Sequence, residues 1–273
     1  MQGNIKNKVA LALAMGMLTG CVATASPAVV EREAINQVAL LQSLAQGYLG
    51  GTITVRDIRG LGDIGIGTFE GLNGEMIVLD GTVYQALGDG RVVVAQDKTL
   101  VPYATVTYFD DDLSLDLHNI KNKGELEEKL NAVVKDCGQN SFYMVKLHTE
   151  FASILFRSEY GSQEPYPTLV EALKGKQTEF TRNNIKGTLV GLYCPNYMGE
   201  LNSPGWHFHF LADDRKQGGH ILELALAKGT VHLDKTDKFT MILPTDKKFH
   251  ALNLAKDMKE DIRRAEQDTQ AKM

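Results

Sequence analysis

The histidines of Gly205-Trp206-His207-Phe208-His209-Phe210, with His220 in the later Gly218-Gly219-His220, are the side chains of this sequence best placed to do chemistry together. Successive side chains of a β-strand point to opposite faces, so His207 and His209 share one face while Trp206, Phe208 and Phe210 take the other. Between them, Ala212-Asp213-Asp214-Arg215-Lys216-Gln217-Gly218-Gly219 is polar and rich in turn formers. It would return His220-Ile221-Leu222-Glu223-Leu224 alongside the first strand. Three imidazoles then converge, and three protein ligands with open positions are the pattern of a catalytic metal site rather than a closed structural one. The plain alternative is a set of ordinary strand histidines, and the third His after a turn of suitable length is what argues against it.

Three charged residues fall where the surrounding pattern is apolar. Glu75 shares strand parity with Ile77 and Leu79, although its place beside Asn73-Gly74 would also let it reach water. Arg157 has the parity of Leu147, Thr149, Phe151, Ser153 and Leu155, so it either ends a buried face or is a solvated strand-end cation. Glu266 follows Ile262 by four residues and Met258 by eight, which puts it on the apolar stripe of a terminal helix, whereas Glu260 and Asp261 fall elsewhere. A carboxylate there needs a cation or a donor unless the helix frays first.

The elements that must position these groups can be read along the chain. Apolar residues at Ile35, Val38, Leu41 and Ala45 predict a helix over residues 31–46, closed by Gly47, Gly50 and Gly51. Short strands follow to about residue 109, with hairpin signals at Asn73-Gly74, Asp80-Gly81 and Asp89-Gly90. A helix is expected over 125–134 with Leu126, Leu130, Val133 and Val134 inward, a strand over 142–156, a helical piece over 169–174, and a strand over 185–194. After the histidine-bearing pair come strands near 230–233 and 239–243, and a long helix over 249–271.

A length of 273 residues, 43% hydrophobic and 23% charged, is an ordinary globular composition with enough apolar residues for a core. The net charge of -5 and scattered basic residues argue against nucleic acid as a partner. Three Cys in a chain this long argue against a disulfide-dense scaffold. Lys6 and Lys8 precede a short apolar run that ends in Leu18-Thr19-Gly20-Cys21, which resembles a bacterial lipobox. A plain secretory signal cut near Ala23-Thr24-Ala25 is the alternative. We expect a lipoprotein-type signal peptide over 1–20, a tether over 21–30 and a folded domain over 31–273, with subdomains of about 31–140 and 141–273. The mature chain is then exported, with membrane contact only through a lipid anchor at Cys21. Cys137 and Cys194 either pair or remain two thiols.

Several stretches, taken in order, resemble the acetolactate decarboxylase family. They are Gly62-Asp63-Ile64-Gly65-Ile66-Gly67-Thr68-Phe69, Leu72-Asn73-Gly74-Glu75-Met76-Ile77, Asp80-Gly81-Thr82-Val83-Tyr84-Gln85 and Pro102-Tyr103-Ala104-Thr105-Val106-Thr107. Then come Phe156-Arg157-Ser158, Gln163-Glu164-Pro165-Tyr166-Pro167, Gly187-Thr188-Leu189-Val190-Gly191 and the histidine segments. The resemblance extends over about residues 37–267. Trp206 stands where a smaller aromatic is expected, Cys194 where no Cys is, and the lipobox is a further departure; none of these removes a proposed ligand.

The resemblance implies an α+β fold of two packed mixed or antiparallel β-sheet subdomains, with short helices, a C-terminal helix and a metal site in the cleft between them. It implies conversion of 2-acetolactate to acetoin and carbon dioxide with Zn2+, another divalent metal being the alternative, by a homodimer. His207, His209 and His220 match the family's metal histidines. Glu75, Arg157, Glu266 and Thr68 match its catalytic positions. A non-catalytic metal- or ligand-binding lipoprotein would explain the histidines and lipobox equally well, but not the charged residues at family positions. A cupin-type oxygenase would place a Glu soon after the second His, where Asp213 and Asp214 stand.

Overall fold

The structure, a computed structural model, describes residues 31–267; the expected signal peptide, the tether, Cys21 and residues 268–273 lie outside the described residues. The first half of the chain runs β1 (Ala34–Val38), α1 (Leu41–Ala45), β2 (Ile53–Thr54), α2 (Val55–Arg59), β3 (Ile64–Thr68), β4 (Glu75–Leu79), β5 (Thr82–Ala86), β6 (Val92–Val94), β7 (Leu100–Val101), β8 (Tyr103–Thr107), β9 (Leu113–Ile120) and α3 (Lys123–Cys137). The second runs β10 (Phe142–Glu159), α4 (Leu169–Leu173), β11 (Gln177–Cys194), β12 (Gly205–Ala212), β13 (Gly218–Thr236), β14 (Lys238–Ile242), α5 (Lys247–His250) and α6 (Lys259–Gln267). This is the expected α+β class.

Seven strands form one sheet in the order β14-β1-β8-β3-β4-β5-β6, antiparallel except for the β1–β14 pair. Five form the other, β10-β11-β12-β13-β9, and β10 also pairs with β13, so β10, β11, β12 and β13 close on themselves. The sheets exchange strands across the chain. β9 precedes residue 140 yet joins the five-stranded sheet, and β14 returns to the edge of the seven-stranded one. Ile35, Ile64, Ile66 and Ile77 of one sheet pack against Met144, Val190, Leu192 and Leu211 of the other.

Local chemistry explains most of these elements. Asp80-Gly81 takes positive φ at both residues, 49° and 74°, the geometry a two-residue hairpin needs between β4 and β5. The Asn73-Gly74 link is longer than two residues, because a 3-10 turn at Glu70–Leu72 precedes it. Gly74 is required there: at φ 88° an added Cβ would sit 2.2 Å from the Ala86 carbonyl oxygen. Asn122 caps α3 by accepting from the Glu125 N–H, and Leu126, Leu130 and Val134 form its buried stripe.

Two expected helices differ. The predicted helix over 31–46 is instead strand β1 and a separate five-residue helix, with Ala39 at φ 57° between them. β-Branched Ile35 and Val38 lie on a strand paired along both edges, where sheet packing outweighs helical spacing. The predicted helix over 249–271 is broken into α5 and α6. Asn253 and Asp257 side chains accept from the Ala255 and Lys259 N–H groups, local bonds that compete with a continuous helix. Cys137 and Cys194 are both free thiols, the first exposed and the second buried.

Candidate active site

The β12–β13 hairpin sets His209 directly opposite His220, and His207 lies two residues along the same face. Nε2 of His207 is 3.1 Å from Nε2 of His209 and 2.9 Å from Nδ1 of His220. The three candidate ligand atoms all lie within 4.8 Å of one another. Gly219 makes this approach feasible, since a Cβ there would meet the Arg157 carbonyl oxygen at 2.2 Å.

The surroundings favour neutral imidazoles. Burial, with Arg157 adding to it, lowers His207 to about 3, and burial also pulls His209 and His220 well below their ordinary range. Nδ1 of His209 is 2.8 Å from the Met76 carbonyl oxygen, which can only accept; the ring proton therefore sits on Nδ1 and the Nε2 lone pair faces the cluster. A shared N–H can bridge only one pair among three clustered nitrogens, whereas a cation answers all three lone pairs. The group can hold a metal ion, and a set of imidazoles suits zinc and other first-row divalent ions.

Charged residues from both sheets and from α6 surround the histidines. Glu75 Oε2 is 3.4 Å from His209 Nε2, and Glu266 Oε2 is 3.3 Å from His207 Nδ1. Glu75 is buried, which excludes the solvated reading, and burial followed by the Glu159 charge holds its carboxyl well above the usual range. Burial raises Glu266 to about 7 against the opposing pull of Arg157. Thr68, paired with Glu75 across β3–β4, donates its hydroxyl to the Gly74 carbonyl and steadies the approach to Glu75. Arg157 is 2% exposed and donates from Nη2 to the Ala265 carbonyl, tying β10 to α6.

The residues named from sequence are thus brought together: Thr68, Glu75, Arg157, His207 and Glu266 line one cavity, and His209 and His220 adjoin His207. The face assigned to Arg157 needs correction. Register shifts in the β10–β13 pairing near Phe151 and Phe156 carry Ile154 and Phe156 into the apolar core beside Leu147 and Phe151. Arg157 therefore points away from that core and into the cavity. Glu159, two residues on, lines the same cavity and is buried; parity with Arg157 is the one signal in the sequence that would have found it.

Neutral nitrogens, a buried cation and buried acids meeting in a cavity between sheets define an enzyme site rather than a structural core. The alpha-acetolactate decarboxylase family model matches residues 35–256, so Glu266 lies beyond the matched span. An alpha-acetolactate decarboxylase of Methanosarcina mazei is 38% identical over 234 residues, 86% of this chain and 80% of the relative. One from Lactococcus lactis is 33% identical, over 83% of this chain and 95% of its own length. The crystal structure of the alpha-acetolactate decarboxylase of Bacillus subtilis strain 168 superposes with a TM-score of 0.82 at 30% identity, covering 86% of this chain and all of that one. This chain belongs to the alpha-acetolactate decarboxylase family, and with that membership it is a decarboxylase.

Proposed function

We propose that the chain converts 2-acetolactate to acetoin and carbon dioxide, with a divalent metal ion, zinc in the first instance, held by His207, His209 and His220. The observation that supports this best is a cluster of three imidazoles whose His207 shares one cavity with Arg157, Glu75 and Glu266, in a chain from this family. The substrate is an anion whose carboxylate-bearing carbon also carries a hydroxyl and adjoins a keto group. Loss of carbon dioxide leaves an electron pair that the keto group takes up, and that carbon must then receive a proton. A bound divalent ion supplies Lewis-acid polarisation of the keto and hydroxyl oxygens.

The side chains divide the remaining work. Arg157 pairs with the substrate carboxylate through its planar fork and then steadies the charge that develops as the bond breaks. Glu266, against His207 Nδ1, orients that ring as an outer-shell carboxylate. Glu75 abuts the inward nitrogen of His209, and burial favours its protonated form; it delivers a proton to carbon and regains one from water. The test is release of acetoin and carbon dioxide from 2-acetolactate under anaerobic conditions. A protein that binds metal but releases neither product would be a binder, not this enzyme, and a need for oxygen would point to an oxygenase.

The same reading takes the mature chain to be exported and lipid-anchored at Cys21, supported by the leader and by Leu18-Thr19-Gly20-Cys21. It also takes the chain to be a homodimer, supported by the resemblance. Mass spectrometry of the membrane fraction, wild type against Cys21→Ser, tests the anchor; an unlipidated soluble wild type rules it out.

A further inference from the structure

We propose that Glu159 is a positioning residue of this site, holding the Glu75 carboxyl against the histidine cluster. The inference rests on the reading above for the role of Glu75. Glu159 ends β10 in the five-stranded sheet, where its backbone is fixed opposite Gln177 of β11. Glu75 begins β4 in the other sheet. Both side chains line the same cavity and each carboxyl feels the other, so this proximity spans the two sheets at the cavity wall.

Three observations separate Glu159 from an ordinary strand-end acid. It is 5% exposed, whereas a carboxylate at the end of a strand is normally solvated. Its Oε2 is buried with no hydrogen-bond partner among the described residues. A buried acid left partly unsatisfied costs stability, and one retained in a reaction cavity points to a use there. It also lies two residues from Arg157, so one stretch of β10 presents a cation and an acid to the same cavity. Burial holds the Glu159 carboxyl above its ordinary range, and two carboxyls can hydrogen-bond only with a proton between them.

Glu75 in turn lies 3.4 Å from His209 Nε2, so a change in its orientation is felt at the metal-binding nitrogens as well as in turnover. Outer-shell partners of this kind typically matter by about 10–100-fold in metal affinity or activity. Glu159→Leu removes the link while keeping an apolar side chain of similar bulk. Glu159→Gln keeps a group able to hydrogen-bond either form of Glu75.

The experiment measures zinc affinity by chelator competition, and kcat and KM for acetolactate, in wild type and both variants. A melting curve confirms folding. The expected result for Glu159→Leu is a loss of about tenfold or more in zinc affinity and in kcat, with little change in KM and no loss of melting temperature. Glu159→Gln should stay within about threefold of wild type in each. Wild-type values in Glu159→Leu, or equal damage in both variants, would overturn the assignment. If Glu159→Leu fails to fold, Glu159→Gln decides alone: damage to zinc affinity overturns the inference, retention upholds it. A wild type that releases no acetoin defeats the functional reading, while the zinc affinities still decide the role of Glu159.

Discussion

The two faces of β12 are made from the same eight residues and do opposite work. On one, Trp206 stacks on Phe208 at 5.6 Å, and Phe210 meets both Phe151 and Phe156 at 5.4 Å inside the apolar core of the five-stranded sheet. On the other, His207 and His209 meet His220, with buried carboxyls around them. The aromatic face anchors the strand. The histidines gain nothing from their burial alone, which lowers the affinity of each ring for a proton and leaves lone pairs to be answered by a cation. Strand alternation thus separates the residues that hold the fold from those that carry chemistry, without separating them in sequence.

Substitutions should break that contrast in a graded way. His209→Ala should abolish acetoin production and leave far less than one metal ion per chain; metal content equal to wild type would remove His209 from the ligand set. Arg157→Ala should lower kcat by about 10²–10³-fold while metal content stays near wild type, because Arg157 is not a ligand. Arg157→Lys should recover little of it, since an ammonium lacks the planar fork. Steady-state kinetics beside metal analysis checks both.

Phe208→Ala tests the opposite face. It should destabilise the fold by about 3–5 kcal/mol in denaturant unfolding, yet the protein that remains folded should still bind metal. A smaller effect belongs to Glu266. Burial raises its carboxyl from an ordinary 4.5 to about 7, so its contribution to stability is full below 4.5 and is lost as pH rises through about 7. Melting temperatures of metal-free Glu266→Gln should therefore fall less over that window than those of wild type. Glu260→Ala should be the mildest: Glu260 is exposed and pairs with Arg263 and Arg264 on the solvent side of α6, so turnover should match wild type.

What the sequence made legible was local. The His-x-His parity, the return of His220 across a turn and the Asp80-Gly81 hairpin each depend on a few neighbouring residues, and the structure has all three. What it hid depends on distant partners. Ile35 and Val38 have helical spacing, yet they become strand because β14, some two hundred residues on, pairs beside them. The exchange of β9 and β14 between sheets leaves no local mark. Arg157 was legible as a candidate but its face was not, since register shifts in β10 reset the alternation before it. Glu159 resembles a solvated strand-end charge until the second sheet covers it.

Metal dependence is tested most directly by stripping the protein with a chelator and following acetoin formation from 2-acetolactate as zinc is returned. Turnover should disappear with the metal and return in full at one zinc per chain, and His209→Ala should regain none. Full turnover by the metal-free protein would contradict it.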